Sequence, residues 1–251
     1  MDAVAGVIHG EGVHEAQWRA SAWLATLPDR PSADLLQGAG RMVVVSPHPD
    51  DEVLGCGGLI QAALAARLPV TVVSVTDGEA CYPDQLQWPG ERLRRVRRSE
   101  LHLALARLGG TVAVTALALA DGGVTQAEER LQEQLQHLLQ PGDLVLAPWE
   151  HDGHPDHDAC GRGARKAADG CGARLLQYPV WAWHWLAPEA AESPWPCAWR
   201  VPMSPEARGR KRHAVAAYAS QTGAAGGLTC APILPAHVLE RFDRDFEVVI
   251  G

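Results

Sequence analysis

The sequence predicts one α/β domain of Rossmann-like type: a mostly parallel, twisted sheet with helices on both faces. Three observations lead there. Short runs of Val, Leu and Ala suit strands covered on both sides, stretches of helical length separate them, and the strand ends close in turns rich in Pro, Asp and Gly. With 251 residues, 47% of them hydrophobic, the chain has enough apolar material for one packed core.

Val43, Val44 and Val45 favour a pleated, covered backbone, and Pro47 and Pro49 then stop it. Residues 52–66 have helical length, so His48, Asp50 and Asp51 cluster where strand hands over to helix, the place where open α/β sheets bind ligands. Residues 69–76 form a second buried strand, made parallel to the first by the crossover, and end at Asp77-Gly78-Glu79. A helix over 91–108 follows, then a third strand over 111–120 closed by Asp121-Gly122-Gly123, where an Asp serves a turn. Residues 126–140 read as a polar-faced helix stopped by Pro141-Gly142, and 144–147 as a fourth core strand. Its loop carries Trp149, Glu150, His151, Asp152, His154, Asp156 and His157 to the same rim. A helix over 159–168 and a strand over 174–180 continue the alternation.

Periodicity disappears between 181 and 203, where Trp181, Trp183, Trp185, Trp195 and Trp199 are interleaved with prolines. Such a segment is expected to form a small satellite core, with a platform stacking on a sugar ring as the alternative. Ser204 as N-cap and Pro205 at the first helical position open a helix to about residue 219. Residues 223–227 are a glycine-rich break, and 246–250 a terminal strand. Near the start, 14–27 has helical character, with Trp18, Ala22 and Ala25 at helical spacing. Its two tryptophans predict packing on the body of the domain or on a second subunit, which makes a homo-oligomer one expected assembly.

A net charge of −8 and a pI near 5.7 argue against general affinity for nucleic acid or anionic membrane, so a small or neutral substrate is expected. Cys56, Cys81, Cys160, Cys171, Cys197 and Cys230 show no Cys-x-x-Cys spacing. They are expected to be mostly small buried apolar residues in a reducing compartment. Asp2, Glu11 and Glu15 break any apolar leader, and no stretch could span a bilayer, so the expected location is the cytoplasm.

The chemistry lies in two short segments. His48, Asp50, Asp51 and Glu52 crowd three carboxylates and an imidazole into five positions, a repulsion that a divalent cation relieves. A His and Asp at i, i+3 plus an imidazole from a second loop give the three N/O ligands of a catalytic zinc site. Asp50 or Asp51 could instead simply cap the helix. The residues alone do not choose which of the two binds metal.

His48-Pro49-Asp50-Asp51 and His154-Pro155-Asp156-His157 together resemble the signature of the zinc-dependent LmbE-like (PIG-L) N-deacetylases. That family includes the N-acetylglucosaminyl-phosphatidylinositol, mycothiol and bacillithiol pathway enzymes and chitooligosaccharide deacetylases. Further matches are Arg97 to Leu101, Leu108-Gly109, Asp121-Gly122, and Lys211 followed by Ser220-Gln221, whose ordinary reading is surface charge and a helix end. The resemblance covers residues from about 41 to about 222. It divides the chain into a partly helical extension, 1–40, and a deacetylase domain, 41–251.

The resemblance implies Zn2+ held by His48, Asp51 and His157, with Asp50 as general base and His154 as the electrophilic or acid histidine. Asp156 is expected to accept a hydrogen bond from His154 and keep it cationic, or to cap the helix. Arg97, with Glu100, matches an Arg-x-x-Glu element that reaches toward substrate hydroxyls, and Arg98 is the competing assignment. His151 and Asp152 are expected to line the mouth without ligating, which places Asp152 beside Arg97 among the substrate contacts. Some relatives have a tyrosine at the position of Asp152, so their particular substrate does not carry over. The implied activity is removal of an N-acetyl or related N-acyl group from an amino-sugar-containing small molecule or glycoconjugate. Iron or cobalt would suit the same ligands.

Other classes fit less well. A dinucleotide-binding oxidoreductase would use Gly55-Cys56-Gly57-Gly58, but these follow the acidic turn and lack the third spaced glycine. A non-catalytic zinc- or sugar-binding module would not need Asp50 and His154. An amidase acting on non-sugar amides would share the same chemistry.

Overall fold

The structure, a computed structural model, describes residues 8, 10–191 and 194–251. Its centre is a seven-stranded sheet: β1 (Arg41–Ser46), β2 (Val70–Thr76), β3 (Ala113–Leu119), β4 (Asp143–Pro148), β5 (Arg174–Tyr178), β6 (Ala198–Pro202) and β7 (Phe246–Ile250), in the order β3-β2-β1-β4-β5-β7-β6. Strands β1 to β5 pair in parallel, while β7 is antiparallel to β5 and β6 to β7. The chain leaves β1 toward β2 on one side and reaches β4 on the other. The strand order therefore reverses between β1 and β4, and a crevice opens beyond their C-terminal ends.

The uniform apolar runs have a direct cause. Met42 and Val44 of β1 enter one core with Leu144 and Leu146, while Val43 and Val45 enter a second with Val145 and Ala147. Alternate residues thus serve opposite faces, and neither face is wet. The helices Glu128–Leu138 and Pro155–Cys171 cover the second face, and Asp51–Ala65 covers the first.

In the helix Asp51–Ala65 the glycines serve packing. A Cβ at Gly55 would lie 2.2 Å from the Tyr178 ring, and one at Gly58 would lie 2.4 Å from Met203 Sδ. These glycines admit neighbouring side chains, which removes the glycine motif as an argument for a dinucleotide site. Gly55→Ala is expected to destabilise the fold by about 1–3 kcal/mol through overpacking, measurable by denaturant unfolding.

The N-terminal segment joins the main core. It forms three short helices, Glu15–Ala20, Ala22–Thr26 and Ser32–Leu36, where the sequence predicts one; Ser21 ends the first and accepts from Leu24 N to cap the second. Trp18 is fully buried, donates its indole N–H to Trp183 O at 2.9 Å and meets the Trp183 ring edge-on at 4.7 Å. Glu15 and Arg244 form a buried bidentate pair. Residues 28–30 also bond to Arg200 of β6 and so cover that edge strand.

Strand β6 lies inside the stretch predicted to be irregular. Its pairing comes from β7, nearly fifty residues later, and it ends at Pro202 on the sheet edge. Trp183 and Trp195 are buried with Trp18 in the same core as Met42, Val44, Leu144 and Leu146, so the expected small satellite core is corrected to a part of the main one; among the described residues of the segment Trp181 lines the strand-end cavity. All six cysteines are free thiols, but only Cys56 and Cys160 are buried, so the expectation of a mostly buried set is corrected. Among the described residues no helix is long and apolar enough to cross a membrane.

Candidate active site

The turn after β1 is held from several directions. Thr76 donates to Pro47 O from its backbone N and its hydroxyl. Glu52, fully buried, accepts Asp50 N and the hydroxyl of Tyr218 and lies 2.7 Å from Ser46 Oγ. Asp50 sits at φ 143°, a region costly for any residue with a Cβ, and its carbonyl accepts Val53 N and Leu54 N to start the next helix. Arg97 locks the arrangement: Nη2 donates to Pro49 O and Asp50 Oδ2, and Nη1 to Gly78 O. A Cβ at Gly78 would lie 1.8 Å from Nη1, and its φ is +64°, so only glycine fits.

The second loop meets this turn across the β1/β4 crevice. The helix Pro155–Cys171 has His154 as N-cap, its Nδ1 accepting from Asp156 N at 3.2 Å. That start puts His157 in the first turn, facing the first motif. His48 Nδ1 lies 3.3 Å from Asp51 Oδ2 and 3.3 Å from His157 Nε2, and His157 Nε2 lies 3.2 Å from Asp51 Oδ2. All three residues are buried.

This near-equilateral triangle suits a metal. Donors 2.0–2.1 Å from a tetrahedral zinc stand about 3.3–3.5 Å apart, which matches its edges. The electrostatics agree. Burial depresses the His157 pKa, but Asp51 and Asp152 outweigh it and raise it to about 9. His48 is likewise lowered by burial and raised, on balance, by Asp121, Asp156 and Asp51. Asp51, which burial alone would raise, is pulled well down by the two imidazoles. The pocket is thus built for positive charge between its carboxylates, whether protons or a divalent cation. Among the described residues a second group of possible ligands is His48, His154 and Asp156, which shares His48.

Three expectations are corrected. Asp156 does not hold His154; its Oδ2 accepts Gly122 N and lies 3.2 Å from His48 Nε2, and its Oδ1 accepts Val124 N. His154 is not cationic, because burial and then the His48 and His157 imidazoles push its pKa well below the usual value. Since its Nδ1 accepts a backbone N–H, the neutral ring carries its proton on Nε2. Asp152 does not line a mouth. It is fully buried, accepts the N–H groups of Val180, Trp181 and Ala182, and lies 2.9 Å from His157 Nδ1.

Asp121, read as a turn residue, sits 3.1 Å from His48 Nε2 and fixes Ala80 N. Arg97 is buried at the site, whereas Arg98 makes a half-exposed bidentate pair with Asp77. Because Asp77 is buried and Arg98 supplies both of its hydrogen bonds, Arg98→Ala is expected to cost about 1–3 kcal/mol of stability, with turnover unaltered, as checked by melting and steady-state kinetics. Lys211, Ser220 and Gln221 are buried rather than superficial. Lys211 ties Leu54 O to Glu247, and Ser220 donates to Glu100 from both N and Oγ. Glu100 thus faces Ser220, not the cavity.

Above the triangle lies a cavity of about 340 Å³ whose lining includes Asp50, Arg97, Asp121, His154, Trp181 and Gln221. Burial raises the Asp50 pKa, against the pull of Arg97. The cavity therefore presents a basic carboxylate, a neutral imidazole N–H and a metal-ready triangle.

Residues 43–168 match the sequence profile of PIG-L, described as GlcNAc-PI de-N-acetylase. The chain is 32% identical over 182 residues to 2'-N-acetylparomamine deacetylase of Streptomyces fradiae, covering 65% of this chain and 63% of that protein. It is 31% identical to probable N-acetyl-alpha-D-glucosaminyl L-malate deacetylase 2 of Bacillus subtilis (strain 168), covering 50% and 59%. The chain thus spans less than two thirds of the length of either relative. Its fold is similar to that of a deacetylase in the teicoplanin biosynthesis pathway, solved as a bog complex, with a TM-score of 0.63, 18% identity, and coverage of 84% and 96%.

Proposed function

Because the chain belongs to the PIG-L family, we propose that it is a zinc-dependent N-deacetylase that hydrolyses the N-acetyl or related N-acyl group of an amino-sugar-containing small molecule. The observation that carries this reading is the His48, Asp51 and His157 donor triangle at the floor of a cavity that also holds Asp50 and His154. The relatives named for acetylparomamine and for N-acetylglucosaminyl malate support the amino-sugar class. A cavity of about 340 Å³ lies at the small end of ligand sites, in keeping with one substituted sugar ring.

His48, Asp51 and His157 would hold the zinc, which supplies Lewis acidity toward the amide carbonyl and toward water. Asp121 and Asp156 orient His48 through its other nitrogen, and Asp152 does the same for His157. Asp50 takes the proton of the attacking water and returns it to the departing amine. Its buried carboxylate is more basic than one in water, and Arg97 keeps it aimed. The Nε2–H of neutral His154 donates to the oxyanion that develops as water adds to the carbonyl, without a formal charge to be relocated.

The test is a screen of N-acetylated amino sugars for released acetate, with metal content measured on the same preparations. Acetate release should rise with zinc content. Equal rates after chelation to zero metal, or no release from any amino sugar, would overturn the reading.

A further inference from the structure

Asp152 holds more than His157. Its carboxylate accepts the N–H groups of Val180, Trp181 and Ala182, where the four-residue helix Ala182–Trp185 begins, and its carbonyl accepts the indole N–H of Trp185 at 2.8 Å. A helix this short does not persist alone, because one turn returns too few hydrogen bonds for the backbone order it requires. Every one of its backbone groups is close to an end, so both ends depend on other parts of the chain.

Asp152 serves the first end, and the N-terminal segment serves the second. Trp18 donates its indole N–H to Trp183 O at 2.9 Å, and Val13 donates its backbone N–H to His184 O at 2.8 Å. These two carbonyls lie in the last turn, where helical N–H partners run out. Trp18 is itself firmly seated: it is fully buried, Glu15 three residues before it is bidentate to Arg244, and Arg241 donates to Glu11 O at 2.7 Å. All of this comes from residues outside 43–168, the stretch that matches the PIG-L profile.

We propose that Trp18 is a positioning residue for the metal site, and that Val13 and Trp18 set the affinity of that site by capping the helix Ala182–Trp185. The contacts run from Trp18 to Trp183 O, through the helix to the three N–H groups on Asp152, and from Asp152 Oδ2 to His157 Nδ1 at 2.9 Å. With the helix formed, Asp152 is fixed and His157 Nε2 is aimed at Asp51. With the helix frayed, Asp152 loses three donors and its carboxylate is free to turn from the imidazole. This inference rests on the zinc reading above.

The test compares two full-length variants. Trp18→Phe keeps an aromatic ring and removes the N–H, while Leu35→Ala, buried in the same N-terminal segment, removes core packing but none of these hydrogen bonds. Zinc affinity is read by titration against a competing chelator, and exchange of the Val180, Trp181 and Ala182 amides by NMR on metal-free protein. Trp18→Phe should bind zinc about 2–30-fold more weakly and exchange those amides faster. Leu35→Ala should melt earlier, through its cavity, and bind zinc as wild type does. Wild-type affinity or wild-type exchange in Trp18→Phe overturns the proposal, and so does an equal loss of affinity in Leu35→Ala, which would show general destabilisation at work. Should Trp18→Phe not fold, the wild type supplies the test: coupling is reciprocal, so zinc must slow exchange of the Trp18 indole N–H, and an unchanged rate overturns the proposal. Wild type that binds no zinc overturns the metal reading itself, and this inference with it.

Discussion

Asp50→Asn is expected to lower acetate release by about 10²–10⁴-fold while zinc content stays at the wild-type level. Asparagine keeps the shape, tolerates the positive φ of 143° better than most residues, and retains a carbonyl oxygen for Arg97 Nη2. It cannot take up a proton. The three donors of the triangle are untouched, so a loss of turnover with metal retained isolates proton transfer from metal binding. Metal analysis and steady-state kinetics on one preparation give both readouts. Rates within twofold of wild type would remove Asp50 from the chemistry.

The parts of the fold read correctly from sequence are those whose cause is local. Valine runs, proline stops and helical crossovers give β1, β2, β4 and β5 and place the His48 turn at a strand end. Strand β6 was not legible, because its pairing with β7 and its cover from residues 28–30 are set far away in the chain. The same contrast holds within the site. Spacing points to His48, to one of Asp50 and Asp51 and to an imidazole of the second loop; the resemblance names Asp51 and His157, and these three converge. The direction of Asp156 depends on where the helix Pro155–Cys171 begins, at Pro155 rather than near 159, and that of Asp152 on the distant backbone N–H groups of residues 180–182. Successive helical residues point about 100° apart, so from the first turn His157 faces Asp51 while Asp156 turns to Gly122 and to the far side of His48. Glu52 was hidden for another reason. It reads as one of the crowded carboxylates that a cation would relieve, whereas Tyr218, 166 residues away, donates to it.

Asp152→Ala is expected to weaken zinc binding by about 10–100-fold and to destabilise the fold by about 3–5 kcal/mol. Both effects arise from one side chain. Its carboxylate holds the outer nitrogen of His157, which fixes the ring so that Nε2 faces Asp51, and it gathers three backbone N–H groups from residues 180–182. Alanine leaves those donors unpaired in a region without solvent, since Asp152 is 0% exposed. Asp152→Asn changes the balance of the two effects. With its oxygen at the Oδ1 position it still accepts Val180 N and Ala182 N, but its NH2 then faces Trp181 N and the His157 ring, so part of the stability and the negative charge that strengthens His157 as a ligand are both lost. Zinc titration against a competing chelator and thermal melting should therefore give weak binding for both variants, with a Tm for asparagine between those of alanine and wild type. If Asp152 were instead a substrate contact, both variants would bind zinc as wild type does and differ only in KM.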